Sequence, residues 1–207
     1  MNDLKRLGLA LLHPELEKHA DWLSAEGRDI ELQDLCESCD LMEGDWHTLA
    51  REQARLLQHH RGRIGVHAPF LNMQLAAADP RIRRVVQERY FQGLDFAQAV
   101  GGQWLVIHSP FHFWGGLTTA HRASLAQEMA VAQLTLEPVL ERAASQGVSL
   151  VIENITDRDT GPLLELVRSF DSPHVRLSVD VGHAHVGAVS GGGLSAHGWL
   201  SQGSELL

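Results

Sequence analysis

Four short apolar runs in this 207-residue sequence end in side chains able to bind a metal ion. Ile64-Gly65-Val66 ends in His67, Trp104-Leu105-Val106-Ile107 in His108, Ser149-Leu150-Val151-Ile152 in Glu153, and Arg176-Leu177-Ser178-Val179 in Asp180, with His183 three residues further on. Two imidazoles and two carboxylates suit zinc or manganese, and a carboxylate can bridge two ions where the site is polynuclear. Each residue also has a plainer reading. A lone histidine at a strand end is commonly a hydrogen-bonded structural residue, and a carboxylate there can close a salt bridge. The carboxylates resist that reading more than the histidines do, because each follows four residues of buried-strand character, where an unpaired charge is costly. Taken jointly, His67, His108, Glu153 and Asp180 are the expected metal ligands.

The elements that must carry these residues follow from hydrophobic periodicity. Runs of strand character recur at Leu7 to Leu12, Ile30 to Leu35, Ile64 to His67, Trp104 to His108, Leu150 to Ile155 and Val175 to Val181. Between them lie segments with helical spacing, such as Ile82, Val85, Val86, Tyr90, Leu94, Ala97 and Val100, and Leu125, Met129, Ala132, Leu136, Val139 and Ala143. Asp79-Pro80 and Thr160 before Pro162 mark helix starts, and Gly27, Gly62, Gly101 and Gly147 stand where helices should end. Pro138 is expected to kink or split the helix over 118 to 146. The alternation is βαβα with about 34 residues per unit, near the roughly 31 of an eight-unit barrel. Six strands are legible and eight are not, so the expected fold is an α/β chain of one domain, 1–207, forming a barrel cut short after about six units. An open doubly wound sheet is the alternative. Either fold sends strand-end residues to one pocket, since parallel sheets place their chemistry at the carboxyl ends of the strands.

Composition narrows the partners. With 44% hydrophobic and 21% charged residues the chain can bury a core, and its longest apolar runs fall short of a membrane helix or a signal peptide, so a cytoplasmic address is expected. Lys and Arg total 17 against 26 Asp and Glu, a net charge of -9, which disfavours nucleic acid. Thirteen histidines is many for this length. Cys36 and Cys39 have the spacing of a redox motif or half a zinc knuckle, but there is no second pair and the flanks are polar or acidic, so neither is expected. Asn154-Ile155-Thr156 matches a glycosylation acceptor by letter only, and Gly191 to Gly193 reads as a loop. His112-Phe113-Trp114-Gly115-Gly116 is either a pocket wall or self-packing loop.

The strand endings resemble the superfamily of xylose isomerase-like TIM barrels, which holds sugar and sugar-phosphate isomerases and epimerases and the abasic-site endonucleases. The resemblance covers about residues 5 to 190. It is carried by Leu177-Ser178-Val179-Asp180-Val181-Gly182-His183-Ala184-His185, by Val151-Ile152-Glu153-Asn154, and by the near copies His67-Ala68-Pro69-Phe70 and His108-Ser109-Pro110-Phe111. It implies that Glu153 and Asp180 bind metal and that His183 contacts substrate or metal. In the endonuclease branch the counterparts of His67 and His108 are ligands too, in a polynuclear zinc cluster. The family also supplies a histidine from a seventh strand and a glutamate from an eighth, which this chain ends before reaching.

Two functions follow. As an isomerase or epimerase of a sugar or sugar phosphate, the protein would use a divalent ion, zinc or manganese, to acidify a C–H and stabilise an enediolate. Glu153 would be ligand and base, Asp180 ligand, His183 the group orienting a substrate hydroxyl, and Phe70 and Trp114 substrate-binding aromatics. As a zinc-dependent abasic-site endonuclease, it would need Lys and Arg around the mouth, where the loops after the third to sixth strands offer one arginine between two aspartates. An inactive barrel fragment is the third class. Unpaired sheet edges predict poor solubility or self-association into a homo-oligomer.

Overall fold

The computed structural model describes residues 7–36, 38–111 and 119–207. Six strands alternate with helices: β1 (Leu9–Leu11), α1 (His13–Glu26), β2 (Ile30–Leu32), α2 (Cys39–Glu43), α3 (Trp46–Leu56), β3 (Ile64–His67), α4 (Pro80–Val100), β4 (Trp104–His108), α5 (Thr119–Gln146), β5 (Ser149–Glu153), α6 (Gly161–Ser169), β6 (Val175–Ser178), α7 (Val181–Gly191) and α8 (Ala196–Gly203), with a 3-10 turn at Ser204–Leu206. All strand pairs are parallel and the spatial order is β1-β2-β3-β4-β5-β6. Each new strand joins the same growing edge, so the order never reverses. A doubly wound sheet requires a reversal, and this arrangement is an arc of a TIM barrel.

Strand pleating separates two faces. Ile30, Leu32, Val66, Leu105, Ile107, Leu150, Ile152 and Leu177 are buried on one side with the helix residues Leu16, Leu23, Leu94, Leu136, Val139 and Leu163. Each such side chain contributes on the order of 1.5–3 kcal/mol by leaving water. The alternate residues, Glu31 on β2, His67 on β3, His108 on β4 and Glu153 on β5, therefore stand on the opposite, concave face. Polar side chains complete most helix caps, usually from the residue just before the helix. Asp79 accepts from Arg81 N–H at the start of α4, as its sequence predicts, whereas α1 is capped from a distance by Asp34, which accepts from His13 N–H at 2.9 Å.

Several boundaries differ from expectation. β1 and β2 each keep three residues, because their flanking residues enter loops and the α1 cap. β6 stops at Ser178, since Asp180 becomes the N-cap of α7 and accepts from His183 N–H at 2.6 Å. Pro138 does not split α5, which runs continuously from 119 to 146. The proline leaves the Leu134 carbonyl without its helical donor, and Gln87 of α4 donates its Nε2–H to the carbonyls of Leu134 (3.4 Å) and Thr135 (3.0 Å) instead. Gly27, Gly101 and Gly147 end helices at positive φ as expected, but Gly62 does not. A Cβ at Gly62 would meet the Arg28 carbonyl oxygen at 2.1 Å, so close backbone approach, not helix termination, requires glycine there. Gly192 is the left-handed C-cap of α7, and His185 lies on that helix. Among the described residues no helix is long and apolar enough to cross a membrane.

Candidate metal centre

The carboxyl ends of β3, β4 and β5 bring three donors together. His67 Nε2 lies 3.3 Å from His108 Nε2, and Glu153 Oε2 lies 3.6 Å from each of them. A point equidistant from these three atoms is about 2.0 Å from each, within the roughly 2.0–2.2 Å range of zinc bonds to imidazole nitrogen and carboxylate oxygen. The three side chains are 7%, 21% and 13% exposed, so the donors are shielded yet open on one side. The donor set fits a divalent ion.

Hydrogen bonding orients the His67 imidazole. His67 Nδ1–H donates to the Ala68 carbonyl at 2.8 Å, which leaves Nε2 facing the triangle. Burial by itself would lower the His67 pKa, but the Cys36 side chain, Glu153 and the Ala68 carbonyl outweigh it and push it up to about 10. His67 therefore carries a proton near neutral pH, and a cation bound at Nε2 would have to displace it. Phe70 stacks on His108 with ring centroids 4.5 Å apart and meets His67 edge-on at 5.6 Å, so it fixes the planes of both rings.

Glu153 also belongs to a second group of possible ligands, with Asp180 and His183, whose donor atoms lie within 4.8 Å of one another. Asn154, 1% exposed, builds this half. Its Oδ1 accepts from Asp180 N–H at 2.8 Å, its Nδ2–H donates to the Asp180 carbonyl at 3.1 Å, and its own carbonyl accepts from His183 Nδ1–H at 3.1 Å. The end of β5 is thereby locked to the start of α7, with His183 Nε2 left free. Such burial leaves Asn154 inaccessible for glycosylation. Another buried carboxylate ties the neighbouring loops. Asp157 accepts from Ser109 Oγ–H at 2.6 Å and from Ile155 N–H at 2.9 Å, and burial pushes it up to about 6 despite those bonds.

A cavity of about 1530 Å³ opens over these residues, larger than the roughly 300–1,000 Å³ of ordinary small-molecule sites. The five strand-end residues His67, His108, Glu153, Asp180 and His183, together with Phe70, all line it. Trp114 and the loop around it lie outside the described residues. The cavity also holds Glu31, which the sequence did not single out, and Cys36, for which neither a redox nor a zinc role was expected. Glu31 sits on the concave face of β2, with its pKa raised first by burial and further by Glu153 and Asp180, against the lowering effect of its Gln33 bond and of His67. The signal for it was a carboxylate between Ile30 and Leu32 in a buried strand. Cys36, whose side chain helps to raise the His67 pKa, lines the cavity with Cys39 as a free thiol. Nothing in the spacing of the two cysteines announced that placement.

Comparisons with known proteins agree with this geometry. The family model described as "Xylose isomerase-like TIM barrel" matches residues 31–196. An uncharacterized protein of Methanocaldococcus jannaschii, MJ1311, is 24% identical over 151 residues, which is 67% of this chain and 49% of that protein, so the match spans about half its relative's length. Among solved structures, the TTHB071 protein of Thermus thermophilus, from a crystal soaked with zinc chloride, is 26% identical and superposes with a TM-score of 0.73 over 94% of this chain and 73% of its own. The apo 3-keto-D-glucoside 4-epimerase of E. coli, 13% identical, reaches a TM-score of 0.69 over 98% of this chain and 76% of its own, a likeness of fold. Parallel strands in sequential order, candidate ligands at their carboxyl ends and a family match over most of the chain lead to one conclusion: the chain belongs to the xylose isomerase-like TIM barrel family.

Proposed function

We propose that this chain forms the metal- and substrate-binding face of a divalent-metal-dependent sugar isomerase or epimerase. The observation that carries the reading is the triangle of His67 Nε2, His108 Nε2 and Glu153 Oε2 at the floor of a cavity whose described lining contains no lysine or arginine. Zinc or manganese held there would supply the Lewis acidity that polarises a carbonyl and its neighbouring hydroxyl and acidifies the C–H between them. The chain's own residues do the rest. His67, His108 and Phe70 keep the donor atoms oriented. The Glu153 carboxylate takes the proton from carbon, giving an enediolate, and returns it to the adjacent carbon, while the hydroxyl proton passes to the former carbonyl oxygen. One base on one face serves an aldose–ketose exchange, while epimerisation requires a second proton donor opposite. Asp180 is a ligand, and His183 directs Nε2 to a substrate hydroxyl because its Nδ1–H is held by Asn154.

The test is elemental analysis of the purified chain after exposure to zinc and to manganese, alongside the double variant Glu153→Gln, Asp180→Asn. Stoichiometric metal in the parent and its loss in the variant is expected, followed by turnover of a ketose in a substrate screen. Absence of metal from both proteins sinks the reading.

One observation favours a second reading, a zinc-dependent abasic-site endonuclease: Glu153 is shared by two groups of ligands, as a polynuclear phosphodiesterase site requires. The acidic lining opposes it, because a duplex must be neutralised by cations around the mouth. Salt-sensitive binding of the metal-loaded chain to an abasic duplex would favour this second reading over the first.

A further inference from the structure

Glu31 has no place in the ligand triangle, yet it stands in the same cavity. Its neighbours in register are Ala10 on β1 and Gly65 on β3, so no bulky side chain flanks it within its layer of the sheet. Its hydrogen bond is a single one of 3.2 Å from Gln33 Nε2–H, which leaves most of the acceptor capacity of a carboxylate unspent. The wider lining adds Asp34, Asp40 and Glu128 to Glu153 and Asp180, and among its described residues holds no lysine or arginine. Residues 112–118, which follow β4, contain neither residue type in their sequence. Arg176 shares the concave face with Glu153, one strand over, but does not line the cavity.

Two ions in the site would bring four positive charges against six carboxylates; one ion would bring two. In either case the cavity stays electronegative. A phosphate ester entering it would meet Glu31 with no lysine or arginine among the described lining residues, whereas a sugar hydroxyl would find an acceptor. We propose that Glu31 is the residue by which this cavity selects an uncharged polyhydroxylated ligand over its phosphorylated form, receiving hydroxyl protons and repelling phosphate. The inference rests on the sugar reading above and narrows its substrate class to unphosphorylated sugars.

The experiment is isothermal titration calorimetry on the metal-loaded 207-residue chain. Its probes are a panel of free ketoses, the phosphate ester of each, and inorganic phosphate. At least one ketose is expected to bind about tenfold or more tightly than its ester, with inorganic phosphate weaker still. Glu31→Gln should weaken the ketose and narrow that ratio by about tenfold, while Glu31→Asp, which keeps the charge and shortens the reach, should weaken the ketose yet preserve the ratio. Circular dichroism and metal content matched to the parent show that each variant is folded and loaded. Equal or tighter binding of the ester by the parent, or an unchanged ratio in Glu31→Gln, overturns the role of Glu31 and leaves the sugar reading standing. Failure of every ketose and every ester to bind overturns the sugar reading, and this inference with it.

Discussion

At the scale of single residues, the site depends on groups that hold ligands in place as much as on the ligands. Asp157 shows this with a measurable sign. Its pKa is about 6 in the folded chain against an ordinary 3.8, so between those values the unfolded chain releases a proton that the native chain keeps. The contribution of this group is therefore most favourable below pH 4 and is lost as pH rises through 6, by about 3 kcal/mol. A carbon-13 titration of the Asp157 carboxyl should have its midpoint near 6, and Asp157→Asn should flatten this part of the stability profile; a midpoint at the ordinary value would contradict the burial argument. Residue identity was legible where a candidate ligand interrupted an apolar run, at the ends of β3, β4 and β5 for His67, His108 and Glu153 and just past β6 for Asp180. It was not legible at Asn154, whose work is done by hydrogen bonds to a segment 26 residues away.

At the scale of elements, local pattern placed the strands well and their ends less well. The start of α4 was readable because Asp79 and Pro80 act within two residues of each other. The course of α5 was not, because the partner that tolerates Pro138 is Gln87, on another helix. This supports a double-mutant cycle. Gln87→Ala should cost about 1 kcal/mol in the parent and less in a Pro138→Ala background, where the restored N–H of residue 138 satisfies the Leu134 carbonyl. Urea unfolding of the four proteins measures the coupling. Equal costs in both backgrounds would mean that Gln87 does not compensate for the proline.

At the scale of the whole molecule, the parallel order β1 to β6 leaves β1 and β6 as sheet edges among the described residues. Their unpaired N–H and C=O groups can pair with another chain. The 207-residue chain is therefore expected to self-associate, with light scattering giving a mass above that of one chain. A monodisperse monomer would show that these edges are covered. Whole-molecule topology also decided between the two folds open to the sequence, since a repeating βα unit is common to both and only the spatial order of strands separates them.

The sequence by itself determined the repeating unit, the approximate strand positions and four of the candidate ligands. These are local properties: a buried strand is short and apolar, and a polar residue at its end interrupts that pattern visibly. Tertiary structure alone decided that donors from β3, β4 and β5 meet within 3.6 Å, that Glu153 serves two groups, and that Glu31 and Cys36 share the cavity. Those facts depend on the curvature and register of a parallel sheet, which bring together residues from 31 to 183 that have no pattern in common along the chain.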